Sequence, residues 1–310
     1  MSSIQIAGLG LTTIDILMRL EHLPTWTSFH RMRELRMDGG GPVGTGIVAA
    51  ARLGARVGYI GTRGSDEAAQ LKMSFLTRDN VDISRVVCRP GPEAQIILCY
   101  VHEVTGERMF AGADTLSEVL LRPEELDREY ITSAEYLHLD GFHQEAAIQA
   151  ARWMHEAGKK VMLDAGKSDG SVSDGMRELV KLTDVLICGS GFGAALTGKQ
   201  DLWQAGEAMQ AIGPQIVVQT EGEDGSYTLT ANDRFHTPAF PVQVVDTTGA
   251  GDVFHGGYMY ALLQGWDLRK AAVFSTAVSA LKCTRLGGRV GIPQLDEVNA
   301  FLKERGYDFE

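Results

Sequence analysis

The chain has 310 residues, of which 44% are hydrophobic and 22% charged, so a disordered protein is excluded and a large buried core is possible. Its net charge of −11 makes a nucleic-acid-binding surface unexpected, while a local basic pocket for an anionic substrate stays open. Four cysteines without C-x-x-C spacing, no apolar run near ~18 residues and no secretory leader predict a soluble, cytoplasmic protein with neither a disulfide framework nor a membrane span.

Short apolar runs typical of buried strands alternate with runs typical of helices along the whole chain. This alternation predicts an α/β fold with a doubly wound, mostly parallel sheet, and we expect one domain over residues 1–310. The predicted strands are 4–10, 57–61, 134–140, 161–164, 184–188, 216–220 and 240–245, and the predicted helices are 47–53, about 64–80, 145–158, 254–263, 270–283 and 295–305.

Two further stretches have the alternating pattern of exposed strands, 32–37 and 94–110, the second with a hairpin turn at Thr105-Gly106. Within the predicted helix at 64–80, Ser65 is the expected N-cap. The pattern by itself predicts strands with a turn and no more.

Several polar residues follow predicted strands, where open α/β sheets place ligands. Asp15 follows the first strand, and its alternative role is that of a turn or cap residue. His138 and His143 lie at a strand end without a metal-binding spacing, so core or loop histidines are favoured over a metal site. Asp140 and His143 remain candidates for substrate contact. Gly8-Leu9-Gly10 lacks the third glycine of a dinucleotide loop, which disfavours that interpretation.

The segment 246–252, Asp-Thr-Thr-Gly-Ala-Gly-Asp, is the strongest chemical signal. It lies between a predicted strand and a predicted helix, and its glycines allow backbone N–H groups to converge at a helix N-terminus, which forms an anion site. Asp252 beside such a site can take a proton from a hydroxyl that attacks a bound phosphoryl group. The alternative is an ordinary N-cap aspartate after a flexible loop.

The nine residues from Asp246 to Phe254 closely resemble the second signature of the ribokinase-like (PfkB) carbohydrate kinases. The resemblance extends over the chain, through the first Gly/Asp strand segment, the glycines near residue 40 and the loop Thr284-Arg285-Leu286-Gly287-Gly288. It implies an ATP-dependent kinase that phosphorylates a hydroxyl of a sugar or sugar derivative. Asp252 would then be the general base, and the backbone N–H groups of Gly249, Ala250 and Gly251 would form the anion hole.

The resemblance also implies a substrate site and a lid. Besides Asp252, the residues expected to hold the sugar are Asp15, Gly40, Gly41 and Thr45. Thr45, or Gly44 if the register shifts by one, stands where the family usually has Asn. A small β-sheet lid is expected from about 12–37 and 92–112, and because a thin sheet needs a partner surface, we expect a homodimer through it.

For the nucleotide, the resemblance implies ATP with Mg²⁺ and, as in many relatives, a monovalent cation such as K⁺. The expected ATP contacts are Thr220, Gly222, Gly225, Cys283 and Gly287. Asp246 and the carbonyl of Thr248 are the expected ligands of the monovalent cation. The turn at 221–226 can equally be an ordinary hairpin. Gly189 and Phe192 replace the family's usual Asn and Glu, which are tied to magnesium.

The substrate stays open at this point. Gly-Gly-Gly-Pro at 39–42, the departures at 189 and 192 and the residues 283–289 resemble a branch that includes sulfofructose kinases. The positions where a sulfonate-reading set is expected carry Phe29, Ala111 and Gly141, so this is a grouping and not a substrate. A ketose, a phosphorylated ketose and a nucleoside remain open, as does a non-catalytic sugar- or nucleotide-binding regulator on the same fold. The chain has no Walker motif and no protein-kinase motif set.

Overall fold

A nine-stranded sheet forms the centre of the molecule in the computed structural model, which describes residues 3–105, 108–166, 168 and 170–309, apart from the side chains of residues 114 and 117. Neighbouring strands pair in parallel except at one edge, where an antiparallel hairpin is added. In spatial order the strands are β13 (Arg234–Thr237), β12 (Ser226–Leu229), β11 (Ile216–Thr220), β10 (Val185–Gly189), β9 (Lys160–Asp164), β8 (Tyr136–Leu139), β1 (Ile6–Leu9), β4 (Val57–Arg63) and β5 (Asp82–Cys88).

Helices cover both faces of this sheet, and each face has its own hydrophobic core. This confirms the doubly wound α/β fold. On one face lie α1 (Pro42–Arg52), α2 (Glu67–Thr77), α8 (Ala250–Leu263), α9 (Leu268–Cys283) and α10 (Leu295–Lys303), and on the other lie α3 (Arg128–Ser133), α4 (Gln144–Glu156), α5 (Asp174–Lys181), α6 (Phe192–Thr197) and α7 (Leu202–Gln210). No helix in the described part of the chain is long and apolar enough to cross a membrane.

The order of the strands creates a crevice between β1 and β8. From β1 the chain proceeds to β4 and β5 on one side, and from β8 it proceeds to β9, β10 and β11 on the other. All four residues of β1 are buried, as expected for a parallel strand covered on both faces. Ligands of open α/β sheets bind where the order reverses, at the carboxyl ends of the strands. The residues that follow β1 and β8 therefore border the expected site.

A second, four-stranded sheet lies outside the first, in the order β3 (Glu34–Gly40), β2 (Thr13–Leu20), β6 (Ile96–His102) and β7 (Arg108–Gly112). It contains the exposed strands predicted at 32–37 and 94–110. The predicted turn at Thr105-Gly106 involves Gly106, which lies outside the described residues.

The strand predicted at 240–245 is wrong, since the structure has no strand there. Pro241 has no N–H to donate to a ladder, and Val245 donates instead to the carbonyl of Cys283 at 2.8 Å. The predicted N-cap Ser65 is also wrong, because Asp66 caps α2 by accepting from the N–H of Ala69 at 3.0 Å. Helix α1 begins five residues earlier than expected, at Pro42 rather than at residue 47.

Helix α8 is buried along nearly its whole length, between α1 and α9. It approaches α1 so closely that a Cβ at Gly256 would clash with the carbonyl oxygen of Gly46 and with Ala49 Cβ, the latter at 2.5 Å. Glycine at position 256 therefore permits the contact that fixes α8, and with it the 246–252 turn, against α1.

Candidate active site

The 246–252 turn leads directly into α8. Gly249 has φ 75°, in the left-handed region that favours glycine, and it is the residue before the helix. The N–H of Ala250 donates to the carbonyl of Thr247 at 3.2 Å, so one of the three groups predicted for the anion hole has an internal partner. Among the described residues, no acceptor is assigned to the N–H groups of Gly249, Gly251 and Asp252. A Cβ at Gly251 would meet nothing within 4 Å, so this side of the turn is open.

Asp252 lies in the first turn of α8 and is partly buried. Burial raises the pKa of its carboxyl to about 7, and the negative charges of Asp164, Asp140 and Asp15 add to the effect while His255 opposes it. A carboxyl that ionises near neutral pH is suited to accept a proton from a hydroxyl. The structure therefore brings Asp252 and Asp15, two of the predicted site residues, within electrostatic range of one another.

Asp140 and Asp164, the other two carboxylates near Asp252, have different hydrogen-bond partners. Asp140, after β8, accepts from the N–H groups of Leu11 at 2.8 Å, Phe142 at 2.9 Å and Val43 at 3.4 Å. It therefore ties the ends of β1 and β8 to the start of α1, and burial raises its pKa to about 6. Asp164, at the end of β9, accepts from Gly166 through Oδ1, while its buried Oδ2 has no hydrogen-bond partner.

The three histidines near this cluster are buried. His255 Nδ1 lies 2.8 Å from the carbonyl oxygen of Gly251 and 3.6 Å from Asp164 Oδ2. The ring of His138 is tilted by 36° against the ring of His255, with centroids 5.6 Å apart, and His143 Nδ1 accepts from the N–H of Leu121 at 3.0 Å. In the described ranges no three His, Cys, Asp or Glu side chains are placed to hold a metal ion.

Asp15 and the glycines at 40 and 41 lie together, and Asp15 is close enough to Asp252 to affect its pKa. Asp15 lies on β2, where Thr13 Oγ1 donates to its Oδ1 at 2.5 Å. A Cβ at Gly40 would clash with the Asp15 carboxylate, so glycine is needed for this approach. Burial raises the pKa of Asp15. Gly41 has φ 84° and precedes α1.

Arg289, which the sequence reasoning missed, links this region to the loop after α9. It is fully buried, its Nη2 donates to the carbonyl of Gly40 and to Thr12 Oγ1, the latter at 2.7 Å, and its Nε donates to Thr45 Oγ1 at 3.4 Å. Its backbone N–H donates to Asp38 Oδ2 at 2.9 Å. The hydroxyl of Thr45 is thus engaged inside the protein, and its contact with a substrate stays a prediction.

Asp246 organises the other end of the turn. Its Oδ1 accepts from the N–H and the hydroxyl of Thr248, at 2.8 and 2.7 Å, and its Oδ2 accepts from the N–H of Gly287 at 2.9 Å. Burial alone would raise the pKa of this carboxyl, but the positive charge of Lys282 and these hydrogen bonds hold it below its ordinary value. The carbonyl of Cys283 accepts from the N–H groups of Val245 and Asp246.

The remaining predicted nucleotide contacts lie elsewhere on the same edge of the sheet. Thr220 ends β11, and Gly222 and Gly225 have φ 60° and 90° in the turn to β12. In the described ranges none of the three makes a hydrogen bond to the 246–252 turn. The structure thus joins Cys283 and Gly287 to the turn, and it places the other three residues apart from it.

Sequence reasoning missed Lys282 and Arg108 as well as Arg289. Lys282 had a usable signal, because it is a single charge among small and apolar residues near the end of α9. Arg108 and Arg289 had none, because their partners are distant in sequence, Thr248 for the first and Thr12 for the second.

Comparison with known proteins gives a consistent result over the whole chain. The family model described as pfkB family carbohydrate kinase matches residues 4–295. The chain is 30% identical over 302 residues to an ATP-dependent ribose-1-phosphate kinase of Halopiger xanaduensis, covering 97% of this chain and 99% of that protein. It is 30% identical over 285 residues to an aminoimidazole riboside kinase of Salmonella typhimurium, covering 86% and 88%. Its fold is similar to that of a ribokinase from Thermotoga maritima, with a TM-score of 0.83 at 24% identity, covering 97% and 99%.

Proposed function

The chain belongs to the pfkB family of carbohydrate kinases, and we propose that it transfers the γ-phosphoryl group of ATP to a hydroxyl of a sugar or sugar derivative, with Asp252 as the general base. The observation that carries this role is the position of Asp252. Its carboxyl lies at the start of α8 beside backbone N–H groups that have no internal acceptor among the described residues, and its pKa is raised to about 7.

In this mechanism Asp252 accepts the proton of the substrate hydroxyl as the hydroxyl oxygen bonds to the γ-phosphorus. The bond between that phosphorus and the β–γ bridging oxygen breaks, and ADP leaves. The N–H groups of Gly249 and Gly251, together with the positive end of α8, stabilise the negative charge on the transferring group. Positioning and electrostatics supply most of the acceleration in phosphoryl transfer.

Magnesium fits this site as a companion of ATP. Mg²⁺ is usually held by one or two carboxylates together with substrate phosphates, rather than by a cage of protein ligands. Asp164 has a buried Oδ2 without a hydrogen-bond partner, and its negative charge is close enough to raise the pKa of Asp252. We assign Asp164 as the carboxylate that supports the ion where Gly189 and Phe192 replace the family's Asn and Glu. Bound Mg²⁺ would neutralise phosphate charge.

For the substrate we propose a pentose carried as a free sugar, a sugar phosphate or a nucleoside. Two relatives at 30% identity are named as kinases of ribose 1-phosphate and of aminoimidazole riboside, and both compounds contain a ribose unit. Asp15, held by Thr13 and pressed against Gly40, is the acceptor that we assign to sugar hydroxyls. An ATP-turnover panel of ribose, ribose 1-phosphate, fructose and purine and pyrimidine nucleosides distinguishes these substrates.

We also propose that the second sheet is a lid and that two copies of the chain associate through its outer face. Strand register places Arg36 on the inner face, where its Nη1 donates to the carbonyl of Leu286 at 3.3 Å. Side chains alternate along a strand, so Leu35 and Met37 point outward. The registers align two outward apolar rows across the sheet, Met37–Ile16–Leu98 and Leu35–Met18–Tyr100–Met109. Such an apolar face is typical of an interface, and a second copy presents the same face.

The role of Asp252 is tested by Asp252→Asn. We expect turnover of the best substrate to fall by about 10²- to 10⁴-fold, because the amide cannot accept the proton, while the melting temperature is retained or rises. The matched control is Asp174→Asn, which changes an exposed aspartate in the first turn of α5 and should leave turnover unchanged. Wild-type turnover by Asp252→Asn contradicts the assignment.

A further inference from the structure

Lys282 is fully buried near the end of α9, beneath the 246–252 turn. Its Nζ donates to the backbone carbonyl of Asp246 at 2.8 Å. Because a lysine ammonium is strongly hydrated, its complete burial is unfavourable unless oxygen atoms and negative charges compensate for it. Burial lowers the pKa of Lys282, and the negative charges of Asp246 and Asp252 oppose that shift and favour the charged form. The structure thus contains a fixed cation under the turn that carries the anion hole.

The same turn is where the resemblance to ribokinase-like enzymes implied a monovalent cation, with Asp246 and the Thr248 carbonyl as ligands. The surroundings of Asp246 do not fit such an ion. Both carboxylate oxygens of Asp246 already accept hydrogen bonds, from Thr248 and from Gly287, and its carbonyl accepts from Lys282.

Charge gives an independent reason. Arg108 Nη1 donates to Thr248 Oγ1 at 2.8 Å and lies 4.0 Å from Asp246 Oδ1. A bound K⁺ would therefore lie between an ammonium and a guanidinium, in a partly dehydrated site where like charges repel strongly. Hard cations need a shell of oxygen ligands. Here the oxygen atoms of Asp246 already accept hydrogen bonds from Thr248, Gly287 and Lys282.

We propose that the ammonium of Lys282 is the resident cation of this turn, and that the enzyme consequently needs no monovalent cation to order its anion hole. The ammonium holds the carbonyl of Asp246 from below, and Asp246 in turn holds Thr248 and Gly287, so the glycines that follow keep the geometry that presents their N–H groups. The turnover part of this proposal rests on the proposed kinase function, and the stability part does not.

The experiment compares potassium chloride with tetramethylammonium chloride at equal ionic strength. For the wild-type chain we expect the same melting temperature and the same ATP turnover in both salts. Lys282→Ala removes the ammonium and leaves space for an ion, so turnover should fall by about ten-fold or more in tetramethylammonium and recover in K⁺, and K⁺ should raise its melting temperature saturably.

Two controls separate this effect from general damage. Lys282→Met removes the charge but fills the space, so K⁺ should restore neither turnover nor stability. Lys72→Ala removes the ammonium of another fully buried lysine, 2.7 Å from Glu93, and should lose stability without any specific response to K⁺.

Specific activation or stabilisation of the wild-type chain by K⁺ overturns the proposal, and so does a folded Lys282→Ala protein that ignores K⁺. If Lys282→Ala does not fold, the wild-type comparison still decides. If no substrate is turned over, the kinase function fails, while the melting temperatures still test the cation.

Discussion

At the scale of single residues, the proposed role of Asp252 implies a specific pH dependence of activity and stability. Burial and the neighbouring carboxylates raise its folded-state pKa to about 7, well above the ordinary value of an aspartate. Its protonated form is therefore favoured in the folded protein, whereas the general base that we propose must be ionised to accept a proton. Activity and stability must consequently respond to pH in opposite directions over the interval between the unfolded and folded pKa values.

We predict that kcat/KM rises with pH as Asp252 ionises, with a midpoint near 7, and levels off above it. The stability that protonated Asp252 contributes is fully present below the unfolded pKa and is lost as pH rises through the folded pKa. Melting temperatures of the wild type and of Asp252→Asn, measured across this range together with kcat/KM, provide the test. The wild type should lose stability relative to the variant as pH rises. A kcat/KM that falls between about pH 5 and 7 contradicts the assigned role.

The sequence could indicate candidate residues whose pattern is local. Asp252 and the glycines before it form one continuous segment, and the structure places them at the start of α8. The roles of Lys282 and Arg289 depend on partners elsewhere in the chain, Asp246 for the first and Thr12 for the second. A pattern within a short window contains no information on such contacts.

At the scale of elements, strands buried on both faces were the easiest to predict, because they are short and uniformly apolar. β11 begins and ends where expected, at Ile216 and Thr220. Helix α1 was predicted too short because Gly44 and Gly46 disfavour helix in isolation. Tertiary contacts explain these glycines, since a Cβ at Gly44 would clash with Arg289 and one at Gly46 would lie 2.9 Å from His138 Nε2.

The close contacts around Gly44 should reverse the usual effect of replacing glycine in a helix. Gly→Ala within a helix ordinarily stabilises by about 0.5–1 kcal/mol. At position 44 the added methyl would lie 2.5 Å from Thr12 Oγ1 and would clash with the Arg289 guanidinium, both buried. We predict that Gly44→Ala lowers the free energy of unfolding by about 1–3 kcal/mol, measured by chemical denaturation.

Gly251→Ala, also in a helix, is the matched control for this prediction. Position 251 has open space around its Cβ, so the change should leave the free energy of unfolding equal or higher. The methyl nevertheless projects beside the proposed anion hole, so turnover should fall. Equal effects of the two substitutions on stability would contradict the clash that we infer at position 44 with Arg289 and Thr12.

At the scale of the whole molecule, the second sheet is the part that local pattern described least completely. Strands at 32–37 and 94–110 were expected, but β2 was not predicted as a strand. Ile16, Leu17 and Met18 are apolar in succession, so the alternation typical of an exposed strand is missing, and Ile16 and Met18 lie on the outward face. An outward apolar face is the reverse of the usual pattern for a solvated sheet. That reversal has a physical explanation if a second copy covers the face.

We therefore predict that the chain forms a homodimer, and that charged substitutions on the outer face of the second sheet prevent its formation. Leu35 and Met109 lie at the two edges of the outward row, with 58% and 57% of their surface exposed. Leu35→Asp combined with Met109→Asp would place two carboxylates per copy in the interface, where burial without partners is costly. Light scattering after size-exclusion chromatography should give twice the chain mass for the wild type and the single-chain mass for the variant. Ile212→Asp changes another exposed apolar residue, after α7, and should leave the dimer intact. A monomeric wild type at about 10 μM would exclude this interface as a stable one.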